Sequence, residues 1–215
     1  MGIALGIWLG LSLLLIVVSF LPASEPDPDE LDAIYRYSTV LGGLVQSAFL
    51  IAVALGTGGL LPGRSRDLGF APFRGRDVAH AFGVVVVAIV VALALEPVLE
   101  AGEKQGLAPD EWRSDLIVPF ALNVVLFAVI GPFTEELFWR GLGGAVLRQY
   151  GIPIAVVGTT LMWGLVHGLL EALPTLAVLG AGFAWIRLRS GSIWPTFIAH
   201  GTYNAIAIAF SVALN

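Results

Sequence analysis

The chain has 215 residues, of which 57% are hydrophobic and 13% charged, and its mean hydropathy is +0.88. Soluble domains carry about 25% charged residues, so an ordinary soluble fold is excluded and a polytopic helical membrane protein is implied, because helices satisfy their backbone polar groups segment by segment in hydrocarbon. The net charge of −5 argues against a nucleic-acid partner, and the lack of cysteine excludes disulfides, thiolate metal sites and a cysteine nucleophile.

Apolar segments fall at 3–21, 38–61, 78–99, 116–148, 152–170, 173–187 and 192–213, each near the length a membrane span requires. The expectation is an all-α transmembrane bundle of about seven helices, a single domain over 1–215. The first segment lacks a basic flank and is followed by further spans, so it reads as a retained helix rather than a signal peptide. The fourth is too long for one straight helix, and Gly131-Pro132 marks a kink. The sixth is the shortest and the weakest span. No internal repeat is present.

The loops differ in charge. Residues 22–37 hold Glu25, Asp27, Asp29, Glu30 and Asp32 against Arg36, and 96–115 hold Glu96, Glu100, Glu103, Asp110, Glu111 and Asp115. Between them, 62–77 carries Arg64, Arg66, Arg74 and Arg76. The positive-inside rule makes that loop cytoplasmic, which places the N-terminus inside, Arg148, Arg187 and Arg189 on the inner side, and the C-terminus outside. Lys104 is the sole lysine against ten arginines, a bias that fits a GC-rich prokaryote and hence a multi-pass protein of its plasma membrane.

Ionisable side chains within spans are costly and mark functional sites by default. Here they are Glu135, Glu136, Arg140, His167 and His200, with Asn204 as a polar neighbour. Gly151 and Pro153 mark the turn between the fourth and fifth helices. Glu135 and His167 each lie 16 residues from Gly151, so both sit roughly 24 Å from the turn, facing each other in an antiparallel pair. The seventh helix begins near Gly191 and carries His200 and Asn204 on one face at a similar depth. Plainer roles exist for each: Glu136 and Arg140 are four apart and suit an ion pair, His167 can bond a helix backbone, His200 and Asn204 can join helices, Trp163 can pack, and His80 can sit at the interface. Pairing accounts for Glu136 but leaves Glu135 without a cation.

Glu135-Glu136-x-x-x-Arg140, Trp163-x-x-x-His167 and His200-x-x-x-Asn204, in order on three apolar helices, resemble the EExxxR, FxxxH and HxxxN motifs of the CPBP (CAAX protease and bacteriocin-processing, or Abi) intramembrane proteases. The resemblance covers about 116–213, which would be the catalytic core. Trp163 stands where phenylalanine is usual. The resemblance implies an endopeptidase that hydrolyses membrane-associated proteins or peptides with a glutamate-activated water. Glu135 would be the general base, His167 would bind and polarise the water, His200 and Asn204 would hold the oxyanion, Trp163 would line the pocket, and Glu136 and Arg140 would form a structural ion pair. Its site would open to the cytoplasm or inner leaflet. No cofactor is expected. The family is often labelled metalloprotease, and Glu135, His167 and His200 are the donor set for a zinc ion if one is used. Rival readings are a proton-coupled transporter, since buried Glu and His also relay protons, and a non-catalytic membrane scaffold or immunity protein.

Overall fold

The structure is a computed structural model that describes residues 1–21, 31–104, 109 and 111–213. Glu25, Asp27, Asp29, Glu30 and Asp110 of the acidic loops lie outside the described residues, as does the side chain of Glu103. Seven principal helices follow one another: α1 (Gly2–Ser19), α2 (Tyr37–Gly58), α3 (Gly75–Leu99), α4 (117–147), α5 (Ile152–Leu165), α6 (Leu173–Ser190) and α7 (Trp194–Ala213), joined by short helical turns. No strand occurs among the described residues. Among the described residues, six of the helices are long and apolar enough to cross a membrane. Side chains such as Val45, Leu93 and Val98 point outward from the bundle, at 70%, 70% and 78% exposure. Glu136 and Arg140 are meanwhile buried at its centre, the inverse of a soluble protein.

The exception to spanning length is α5, not the sixth helix. α6 runs through to Ser190 and, with the turn Leu170–Ala172, is a full candidate span. α5 stops at Leu165 after 14 residues, about 21 Å of rise against a hydrocarbon layer of about 30 Å. The chain then turns back at His167 and Gly168. Gly168 sits at φ +67°, and a Cβ there would strike the Ser19 carbonyl of α1. The Ser19 hydroxyl donates to the Leu165 carbonyl at 3.3 Å. Irregular backbone at membrane depth is tolerated where protein surrounds it in this way.

α4 is the central element, touching α1, α2, α5, α6 and α7. It is continuous through Gly131-Pro132 but widens on either side of that pair, with π-helical turns at Leu126–Ile130 and Glu136–Gly143. In the first, Gly131 N–H donates five residues back to the Leu126 carbonyl. The next carbonyl in that register, Phe127, would need an N–H from Pro132, which has none. Asn204 of α7 supplies it, its Nδ2 donating at 2.9 Å. The expected kink is therefore a pair of π turns, the kind of irregularity that often marks functional sites. α7 comes this close because residue 201 is glycine: a Cβ there would run into the Ala128 carbonyl. A Gly201→Ala chain gains about 1 kcal/mol of helix propensity but must push two backbones apart, an overpacking cost of about 1–3 kcal/mol. The expected outcome is a lower melting temperature in detergent and lower activity. A variant as stable as the parent would show that α7 does not need this contact.

Side chains at the two ends of the bundle confirm that the loops segregate by charge. At one end Arg187 Nη2 donates to the Asp67 carbonyl at 2.5 Å, the Ser192 hydroxyl to the Ala71 carbonyl at 2.8 Å and the Ile193 N–H to the Gly69 carbonyl at 3.1 Å. The arginine-rich 62–77 loop and the α6–α7 turn thus form one basic end. At the other, Lys104 meets Glu171 at 3.2 Å, and Tyr35 OH donates to the Glu111 carbonyl while accepting from Arg113 N–H, both at 3.2 Å. His80 is exposed near the basic end of α3, its ring 6.5 Å from Trp185. If the basic end faces the cytoplasm, a reporter fused after Gly69 is active only when it is of the cytoplasmic type. Activity of an export-dependent reporter at that position would invert the orientation.

Candidate active site

Glu135 and Glu136 straddle the start of the second π turn, and the change of helical pitch there sends them to different surroundings. Glu136 is fully buried. Its Oε1 faces Arg140 Nη1 at 3.1 Å and His200 Nδ1 at 3.0 Å. The ion pair expected from the sequence is present, but Glu136 also holds a histidine of α7. Since a carboxylate only accepts, His200 Nδ1 is the protonated nitrogen, and Nε2 is turned toward Glu135 Oε2 at 3.9 Å. Arg140 is wrapped in aromatic rings, its guanidinium carbon 4.1 Å from the Trp163 ring centre and 5.9 Å from that of Phe183, which offsets part of the cost of burying it.

Glu135 is 30% exposed at its side chain, so water reaches it. It has no cation of its own, as expected, but it does have a donor: Trp163 Nε1–H bonds Oε2 at 2.6 Å. The aromatic wall expected at position 163 is a hydrogen-bonding wall, because tryptophan carries an N–H where phenylalanine carries none. His167, just past the end of α5, donates from Nδ1 to the Trp163 carbonyl at 2.7 Å. A carbonyl can only accept, so Nδ1 carries a proton and Nε2 is the nitrogen left to face the cavity.

A cavity of about 150 Å³ is lined by Leu15, Gln46, Leu50, Glu135, Trp139, Val166 and His167. It is the place where the exposed carboxylate and a histidine meet. A larger hollow of about 450 Å³ runs along α7, lined by apolar side chains, Gly201 and Thr202, and has no group able to move a proton. His200 and Asn204 do not line the smaller cavity. His200 lies 3.9 Å from Glu135 through its Nε2, and one N–H of the Asn204 amide is engaged by the Phe127 carbonyl. Leu15 lies near the Ser19 end of α1, and His167 is four residues from Glu171 of the acidic end. These two lining residues therefore lie toward the end of the bundle that carries the acidic loops.

A zinc ion would need donor atoms of Glu135, His167 and His200 all within about 2.0–2.2 Å of one point. Among the described residues no three such side chains converge that closely, and Glu135 Oε2 is engaged by the indole. The residues as arranged do not fit the ion.

Residues 117–206 match the model of a family described as "Type II CAAX prenyl endopeptidase Rce1-like". The matched residues make up less than half of the chain, and over them it resembles the CAAX-type membrane endopeptidases. The match takes in all three motifs and hence every expected site residue, while α1, α2 and α3 lie outside it. Over 95 residues the chain is 26% identical to a Bacillus subtilis (strain 168) protein named "Putative membrane peptidase YdiL". That alignment covers 44% of this chain and 39% of the relative's length. No solved structure matches the chain significantly. Within the matched segment, the residues that sequence reading left out are Phe127 and Ala128, whose carbonyls receive α7. Outside it lies Gln46, a polar side chain visible in an apolar run but carrying no ionisable group, and so lacking the signal that marks the others.

Proposed function

We propose that this chain is a multi-pass intramembrane endopeptidase of a prokaryotic plasma membrane that hydrolyses membrane-associated peptides or proteins with a water activated by Glu135. The observation that carries the reading is the division of labour between adjacent glutamates. Glu136 is sealed away with Arg140 and His200, whereas Glu135 reaches a small cavity opposite His167. The family match and the membrane-peptidase name of the relative support the same chemistry.

In this reading His167 Nε2 accepts a hydrogen bond from the attacking water and fixes it beside Glu135, which removes its proton as the oxygen bonds to the peptide carbonyl carbon. The tetrahedral intermediate carries its charge on the former carbonyl oxygen, and donors already in place there supply much of the rate enhancement. His200, held at Nδ1 by Glu136, turns its Nε2 toward Glu135 Oε2 at 3.9 Å and so stands beside this region. Collapse breaks the C–N bond, and the proton taken up by Glu135 passes to the leaving amine, so no net proton is stored. Asn204 acts by bracing α7 on the α4 π turn, which sets the reach of His200 one turn earlier. With the N-terminus cytoplasmic, the site serves the outer half of the membrane.

The test is incubation of purified protein in lipid vesicles with a library of membrane-inserting peptides, products being read by mass spectrometry. Wild-type protein yields internal cleavage products that Glu135→Gln does not. No cleavage by wild-type protein, or the same products from both, sinks the reading.

A further inference from the structure

Gln46 is ten residues into α2 and roughly 14 Å from its start, with apolar residues at Leu44, Val45, Phe49 and Leu50 around it. Serine and glycine neighbours can hide in a helix, but a primary amide with two donors and an acceptor cannot. At membrane depth an unmatched amide is expensive. Yet Gln46 makes no hydrogen bond among the described residues, and its side chain is exposed. It lies beside the buried Ser47 and Leu50, at the edge of the stripe by which α2 packs on α4, and it lines the cavity shared with Glu135 and His167.

That cavity offers three polar side chains. Glu135 and His167 are both occupied by the attacking water in the proposed reaction. A peptide entering it brings polar groups of its own. For its bond to be reached, the substrate must be extended locally, and an extended segment in hydrocarbon exposes N–H and C=O groups that have left their helix. A glutamine side chain is the complement of a peptide unit, since its carbonyl accepts from an N–H and its NH₂ donates to a C=O, with no charge to desolvate. We infer that Gln46 is a substrate-binding residue, its side-chain amide pairing with the backbone of the unwound segment next to the bond that Glu135 addresses. The inference deepens the peptidase reading and rests on it for the identity of the ligand. It recruits α2, outside the family-matched segment, to the site, and it makes recognition backbone-directed and therefore tolerant of substrate sequence.

Binding can be measured separately from turnover. The probe is a fluorescent peptide of about 20 apolar residues with a central Gly-Pro break, in phosphatidylethanolamine–phosphatidylglycerol vesicles. It is titrated with full-length Glu135→Gln protein and with the same protein carrying Gln46→Leu, which keeps the side-chain volume but loses both hydrogen bonds. Leaving a buried peptide group unmatched weakens binding by about 10-fold, within the usual range for such a group. Gln46→Asn, with the same amide on a shorter stem, recovers part of the loss, and a melting curve unchanged by Gln46→Leu separates this from a folding defect. An ester replacing the amide on the N-terminal side of the probe's central glycine removes that glycine's N–H donor, so it weakens binding to the protein that retains Gln46 more than to the one carrying Gln46→Leu. Equal affinity of the two proteins for the probe overturns the inference, whatever the turnover. Binding that depends on Gln46 in a wild-type chain that cleaves nothing overturns the peptidase reading and leaves the binding residue standing. No binding to either protein overturns both.

Discussion

Glu135→Gln should leave the protein folded and stop it from working. The reason lies in what glutamine keeps. Its Oε1 can still accept the Trp163 indole N–H that now bonds the carboxylate at 2.6 Å, and no cation within the bundle depends on Glu135 for neutralisation, because Arg140 is matched by Glu136 at 3.1 Å. Removing a partly exposed charge that is held only by a neutral donor changes stability by about 0.5 kcal/mol or less. What is lost is the base. Proton removal from the water and proton delivery to the leaving amine both pass through this side chain, and general acid–base steps of that kind are worth about 10²–10⁴-fold. The expected result is a melting curve superimposable on the wild type and turnover down by roughly 10³-fold or more, with peptide binding retained. Near-normal cleavage by Glu135→Gln would remove Glu135 from the chemistry.

The sequence made the bundle legible because hydrophobic length is a strong signal: each of the seven apolar runs overlaps one of the seven helices. It misjudged which helix fails to span. The apolar run from 152 continues past Leu165, and nothing in hydropathy records that Gly168 turns the chain at φ +67° against α1. Spacing alone brought Glu135, His167 and His200 to one depth, and it paired Glu136 with Arg140, since those relations follow from helical rise and pitch. It could not show that Glu136 also holds His200, or that Asn204 bonds Phe127, because both depend on π turns that change the pitch within one helix. The substitution of tryptophan for phenylalanine at 163 was visible, but its consequence was not. Only the approach of Nε1 to Glu135 turns a packing residue into the donor that fixes the carboxylate.

The Glu136–Arg140 pair makes the opposite prediction to Glu135. Both side chains have no exposure, and together with His200 they form a set in which Oε1 of Glu136 serves both the Arg140 guanidinium and the His200 Nδ1–H. Arg140→Met leaves the Glu136 carboxylate in the buried interior with only His200 and Thr196 to face it. Glu136→Gln leaves the guanidinium among the rings of Trp163 and Phe183 without a counter-charge. Stranding one member of such a pair costs about 3–5 kcal/mol, so each single variant should give a poor yield of folded protein and a melting temperature lowered by many degrees. The double variant Glu136→Gln/Arg140→Met strands no charge, and its loss of stability should be clearly smaller than the sum of the two single losses, the non-additivity expected of contacting groups. Activity should not follow stability back. With glutamine at 136, His200 Nδ1 loses the carboxylate that fixes its ring, so the stabilised double variant remains a folded, weakly active protein. Thermal melts and cleavage assays on the three proteins decide the matter: additive stability losses would show that the two residues do not act as a pair, and a double variant with wild-type turnover would show that Glu136 contributes nothing to the site beyond neutralising Arg140.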